Sequence, residues 1–179
     1  MEALAVDLGP GLCLRPMLDN DLPFLASLYA STRERELEPV PWTAEEKAAF
    51  LAFQFQCQHQ HYQQHYQDAR FDIVECGAEP IGRLYLAPLE GELRIMDIAL
   101  VPGTQRRGIG TRLIQAVLAR ARAEGRRVSI HVERDNPALA LYLRLGFEVR
   151  EDRGVYLFLV HAAREACAPC SSAPGSQNE

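Results

Sequence analysis

IALVPGTQRRGIGTRLI occupies residues 98–114. An apolar run stops at Pro102, glycines follow at Gly103, Gly108 and Gly110, and apolar residues then return at helical spacing from Leu113. The stretch predicts a strand, a glycine-rich loop and a helix that opens near Gly110. The first-turn amides of such a helix lack internal acceptors, and its dipole favours a nearby anion. Glycine allows the backbone positive φ and lets a phosphate come close. Arg106 and Arg107 add positive charge. The physical reading is a phosphate cradle.

Two common phosphate loops do not fit. Gly103 to Gly108 matches the first half of a P-loop, but Ile109-Gly110 stands where the lysine and hydroxyl residue belong. A dinucleotide fingerprint needs a third glycine, and its position is Leu113, on a strand that comes late in the chain.

Outward from this loop the chain alternates strand and helix patterns, which predicts a mixed α/β domain. LCLRPM (12–17) reads as a strand, and Asp19, Asn20 and Asp21 offer caps to a helix over LPFLASLYASTRERELE. PVPW (39–42) ends it. Thr43-Ala-Glu-Glu46 is a capping box, so a second helix should run to about Gln67. FDIVEC (71–76) and IGRLYLAP (81–88) predict a hairpin around Gly77–Pro80, and ELRIMDIALV (92–101) a third strand. The helix after the loop ends at Gly125, and VSIHV (128–132) is the next strand. Asn136 caps a short helix carrying Ala138, Leu141, Tyr142 and Leu145 on one stripe, with Gly146 beyond its end. Phe147–Arg150 and Val155–His161 close with a hairpin.

The 179 residues suit one compact domain, and 47% hydrophobic content excludes disorder over most of the length. A net charge of −5 argues against a nucleic-acid or anionic-membrane binder. No apolar run reaches membrane-spanning length, and Glu2 sits where a signal peptide carries positive charge, so a cytoplasmic protein is expected. The cysteines, Cys13, Cys57, Cys76, Cys167 and Cys170, form no disulfide framework and are expected to be reduced. Cys167 and Cys170 lie in a tail rich in Ala, Pro, Ser and Gly and read as an incidental pair.

Gln105-Arg-Arg-Gly108-Ile-Gly110 resembles the Q/R-x-x-G-x-G/A signature of the GNAT superfamily of acyl-CoA-dependent N-acyltransferases. IALVP is similar to that family's fourth strand, NPALALYLRLGF (136–147) to its acceptor-side segment, and LCLRPMLDNDLPFLASLY to its first strand and helix. The resemblance covers residues 12 to 161 and implies a single domain there, with the helical segment 43–67 inserted before the second strand. Residues 1–10 and 163–179 are expected to be flexible termini. The implied fold is a mixed, mostly antiparallel twisted sheet of six to seven strands flanked by helices, its fourth and fifth strands splayed.

The resemblance also implies the roles. Backbone groups near Ile98 and Leu100 would pair with the pantetheine arm. Gln105, Arg106, Arg107, Gly108, Ile109 and Gly110 would hold the CoA pyrophosphate, with Thr111 adding a hydroxyl. Asn136 would face the pantetheine end, although the step from Asn136 to Tyr142 is one residue shorter than in many relatives. Tyr142 would protonate the leaving thiolate. On spacing alone, Tyr142 reads equally as a core tyrosine with its hydroxyl at the edge. The implied reaction is acetyl transfer from acetyl-CoA to a primary amine. Transfer of another acyl group and a non-catalytic acyl-CoA-sensing module are the alternatives. A homodimer is compatible with any of them.

An amine nucleophile must lose a proton. Some relatives keep a glutamate on the fourth strand, and the matching position here is Arg94. Glu92, Asp97, His131 and Glu133 are the nearby alternatives. QCQHQHYQQHYQ (56–67) carries Cys57, His61 and His65 on one helical stripe and His59, Tyr62 and Tyr66 on another that begins at Leu51 and Phe55. Two histidines at i, i+4 can share a metal, but no HExxH pattern or distant ligand cluster accompanies them, so no metal is expected. The apolar stripe should pack on the sheet and the polar one face water or the acceptor cleft.

Overall fold

The structure is a computed structural model that describes residues 8–162. Strands β1 (Leu12–Pro16), β2 (Arg70–Cys76), β3 (Glu79–Leu89), β4 (Glu92–Leu100), β5 (Arg127–Glu133), β6 (Glu148–Arg153) and β7 (Tyr156–His161) form one sheet in the order β1-β2-β3-β4-β5-β7-β6. All neighbours are antiparallel except β4 and β5. Helices α1 (Leu22–Leu37) and α2 (Ala44–His65) precede β2. Helix α3 (Ile109–Ala123) forms the crossover between the two parallel strands, and the short α4 (Leu139–Arg144) follows β5.

Each element follows from its local sequence. Glu46 N–H donates to the Thr43 hydroxyl at 3.2 Å, and Thr43 N–H donates to the Glu46 carboxylate at 2.8 Å, so the capping box forms as read. Pro80, assigned to the hairpin turn from sequence, lies inside β3 opposite Glu75, beside a register shift at Val74/Glu75. The irregular pairing there tolerates its missing N–H. The expected flexible terminus 1–10 is too long at its inner end. Leu8 is buried in the core, and its carbonyl accepts Arg112 Nη1 at 3.2 Å. Residues 1–7 and 163–179, including Cys167 and Cys170, lie outside the described residues.

The sheet separates two apolar cores. One face packs Leu113, Val117 and Ala121 of α3 on Leu84, Leu86, Leu93, Ile130 and Leu159. The other packs Leu25 and Tyr29 of α1 and Leu51 and Phe55 of α2 on Ile73 and Tyr85. Strands β3 and β4 approach closely at Gly82, where a Cβ would stand 2.4 Å from the Ala99 carbonyl oxygen. Among the described residues, no helix is long and apolar enough to cross a membrane.

Two irregularities shape the middle of the sheet. The β3–β4 register passes from Tyr85↔Asp97 to Leu86↔Ile95, so Met96 is an extra residue, a β-bulge. The β4–β5 ladder holds only from Glu92↔Arg127 to Ile95↔Ile130. Beyond it the two strands part. Met96 to Leu100 face His131 to Glu133 across an opening, with one core on each side.

Candidate active site

On the α3 side of the opening lies the glycine-rich loop. Gly108 takes φ +78° and Arg106 φ +59°; Arg106 is the only non-glycine residue with positive φ among the described residues. A left-handed arginine is uncommon and costs on the order of 1 kcal/mol or more. It turns the chain so that the row of amides is left bare. From Arg106 to Thr111 no backbone N–H donates to an acceptor among the described residues, and the first helical bond runs from Arg112 N to Gly108 O at 3.1 Å. Arg106 and Arg107 are exposed beside this row. The helix begins at Ile109, one residue earlier than the sequence reading, because Gly108 serves as the left-handed N-cap.

The edge of β4 leads into the loop. Val101 N–H donates to Ile81 O at 2.9 Å, so residue 101 faces β3, and by alternation the backbone groups of Leu100 and Ile98 face the opening. The Leu100 carbonyl accepts the Gln105 side-chain amide at 3.0 Å, which agrees with that direction. Gln105 therefore touches the strand edge through its side chain as well as beginning the loop.

Tyr142 stands on the same side. It is 4% exposed, packs edge-on against Phe147 at 5.6 Å, and its hydroxyl makes no hydrogen bond among the described residues. Burial, followed by the negative charge of Asp97, raises its phenol well above the ordinary value and keeps it protonated. Asn136 is exposed. Its Oδ1 accepts Ala138 N–H at 2.8 Å and its carbonyl accepts Leu139 N–H at 3.0 Å, so it holds the turn that leads into α4; the helix starts later than the sequence reading, at Leu139 with Ala138 as its N-cap, because the Asn136 bonds close a turn first.

On the α1/α2 side is a cleft of about 200 Å³ lined by Tyr62, Tyr66, Arg94, Ile95, Met96 and His131. It sits where the β4–β5 ladder ends. Tyr62 and Tyr66 belong to the stripe that also buries Leu51 and Phe55, whereas Cys57, His61 and His65 are exposed. The aromatic stripe, assigned to the sheet from sequence, thus borders the cleft as well. Among the described residues no group of three or more metal-ligating side chains could hold a metal ion.

The carboxylates named as candidate bases are committed elsewhere. Glu92 is 2% exposed and accepts from Arg94 at 2.7 Å, from Arg127 at 2.9 Å and from the Ser129 hydroxyl. Burial raises its pKa, but these three partners outweigh burial and hold it below the ordinary value. Asp97 is held by Arg83, with contacts of 2.7 and 3.1 Å. Arg83 is 2% exposed, so removing its carboxylate would leave a buried charge unpaired, at a cost of about 3–5 kcal/mol. Glu133 receives Tyr156 OH at 3.2 Å and faces Arg33 at 3.2 Å. His131 alone of the four lines the cleft. Its ring lies 4.8 Å from that of Phe158, and desolvation, then the charges of Arg94 and Arg153, hold its pKa below the ordinary value.

A profile of the acetyltransferase (GNAT) family matches residues 28–147. The chain belongs to that family. The mycothiol acetyltransferase of Corynebacterium glutamicum (strain R) is similar, at 36% identity over 94 residues, which are 51% of this chain and 32% of the relative. The chain spans about a third of that curated relative's length. Among solved structures, the PaiA N-acetyltransferase of Thermoplasma acidophilum in complex with coenzyme A superposes with TM-score 0.67 at 15% identity, covering 84% of this chain and 98% of that one. A GNAT family acetyltransferase from Elizabethkingia anophelis with acetyl-CoA bound gives TM-score 0.57 at 16% identity, covering 86% and 99%. At such identities the structural likeness establishes the fold, and the splayed GNAT sheet expected from sequence is the fold observed.

Proposed function

We propose that this GNAT protein transfers the acetyl group of acetyl-CoA directly to a primary amine of a small molecule or peptide. The observation that carries the reading is the parting of β4 and β5 after Ile95 and Ile130, with a bare amide row on one side and an aromatic cleft on the other. An open strand edge at Ile98 and Leu100 suits the pantetheine arm, which carries amide donors and acceptors that can extend a sheet. The amides from Arg106 to Gly110, the Thr111 hydroxyl and the charges of Arg106 and Arg107 suit the pyrophosphate. Gln105 would release the Leu100 carbonyl as the arm enters. Asn136 keeps its Nδ2 for the arm while its Oδ1 holds the turn before α4.

In the reaction the amine nitrogen bonds to the thioester carbonyl carbon as the C–S bond breaks. The amine loses one proton, and the thiolate takes one from Tyr142. His131 takes the amine proton, directly or through water, because it is the candidate base that faces the cleft. A base works only when neutral, so the rate rises with pH through the His131 pKa. Since that pKa is depressed, the acid limb of kcat/KM should fall below about 6.5, the ordinary imidazole value. His131→Gln should lower kcat/KM by about 10²-fold and abolish this limb. An unchanged limb in the variant places the base elsewhere.

The same reading makes the protein a cytoplasmic enzyme that needs no metal and no nucleic-acid or membrane partner. Its test is thiol release from acetyl-CoA across a panel of amines. Amine-dependent release is expected. Tight acetyl-CoA binding without release for any amine would make the chain an acyl-CoA sensor instead.

A further inference from the structure

Arg94 stands at the wall of the cleft, where some relatives carry a carboxylate. Its guanidinium is half spent. Nε donates to Glu92 at 3.0 Å and to Ser129 at 3.2 Å, and Nη2 donates to Glu92 at 2.7 Å, so the Nε/Nη2 edge is anchored. Nη1 has no partner among the described residues. Nη1 and the outer N–H of Nη2 form the end-on fork of the guanidinium, the geometry that grips a carboxylate with two parallel bonds. The Phe158 ring, 5.8 Å below, backs the guanidinium and limits its rotation.

The surroundings favour an anion. Among the described residues no carboxylate lines the cleft. Glu92 answers two arginines, Arg94 and Arg127, which leaves one positive charge uncompensated in that group. Arg153 is paired with Glu151 at 2.5 Å, and the two charges act on the cleft in opposite senses. Asp97, whose charge reaches Tyr62 of the cleft, is paired with Arg83 at 2.7 Å. Tyr62 and Tyr66, packed edge to face at 6.2 Å, supply an aromatic wall of the same cleft.

We propose that the acceptor is an amine carrying a carboxylate, gripped by the end-on fork of Arg94 while its apolar body lies against the edge-to-face pair Tyr62 and Tyr66. This rests on the acetyl-transfer reading and names the substrate class within it. Arg94 is then a specificity-determining residue.

The test compares matched amines with acetyl-CoA: 4-(aminomethyl)benzoate against benzylamine, and L-phenylalanine against 2-phenylethylamine. At least one carboxylate should exceed its neutral partner in kcat/KM by roughly tenfold or more. In Arg94→Gln that ratio should collapse toward one, and Arg94→Lys, which keeps charge without the fork, should fall between. Glu92 keeps Arg127 and Ser129 in both variants, and circular dichroism reports whether they fold. The wild-type ratio needs no variant. Neutral amines turned over as well as their carboxylate partners would overturn the inference while leaving acetyl transfer intact. No turnover of any amine by protein that binds acetyl-CoA would sink the acetyl-transfer reading, and this inference with it. A ratio that survives Arg94→Gln in a folded protein would also overturn the assignment to Arg94.

Discussion

Gly108→Asp should weaken acetyl-CoA binding by about a hundredfold without unfolding the protein. A Cβ built on Gly108 meets nothing within 4 Å, so the side chain has room. The residue keeps φ near +78°, which aspartate tolerates better than most, at roughly 1 kcal/mol. The damage is electrostatic. The new carboxylate would sit at the N-terminus of α3, satisfy the bare amides itself and repel the pyrophosphate. Losing the favourable helix-end interaction and gaining repulsion together amount to about 3 kcal/mol, which is roughly a hundredfold in Kd. Gly108→Asn has the same backbone demand and nearly the same size without the charge, and should lose far less. Titration calorimetry decides it. Unchanged affinity in folded Gly108→Asp, or equal losses for Asp and Asn, would remove the loop from the pyrophosphate site.

That loop was legible in the sequence because its determinants are local. Glycines, a proline stop and returning helical spacing all fall within residues 98–114. The Thr43–Glu46 capping box and the strands were legible for the same reason. The candidate site was only partly so. Glu92, Asp97, His131 and Glu133 look alike as strand residues near one another. What separates them is contact at long range: Glu92 with Ser129, Asp97 with Arg83, Glu133 with Arg33. Periodicity carries no signal for such pairs. The bulge at Met96 is equally silent, yet together with the short β4–β5 ladder it sets where the strands part. Tyr62 and Tyr66 were read as sheet-packing residues because their stripe begins with Leu51 and Phe55. The stripe outruns the sheet's covered surface, so its last two aromatics border the cleft.

Tyr142→Phe should lower kcat by about 10²–10⁴-fold while leaving acetyl-CoA affinity and thermal stability near wild type. The structure separates this outcome from a structural role. A buried tyrosine that holds the fold together does so through a hydroxyl partner, and losing that bond leaves the partner unsatisfied, at a cost of about 1–3 kcal/mol. The Tyr142 hydroxyl has no such partner among the described residues, and its ring packing on Phe147 survives in phenylalanine. Deleting the hydroxyl therefore breaks no hydrogen bond among the described residues and should be close to neutral for the fold. For catalysis the same isolation is useful. The phenol stays protonated through the working pH range and is free to give its proton to a departing thiolate. The measurement is kcat with a good acceptor under conditions where chemistry limits turnover, beside a thermal melt. A change in kcat of less than about threefold would show that Tyr142 is not the acid. A clear drop in melting temperature would show instead that its hydroxyl holds a structural bond.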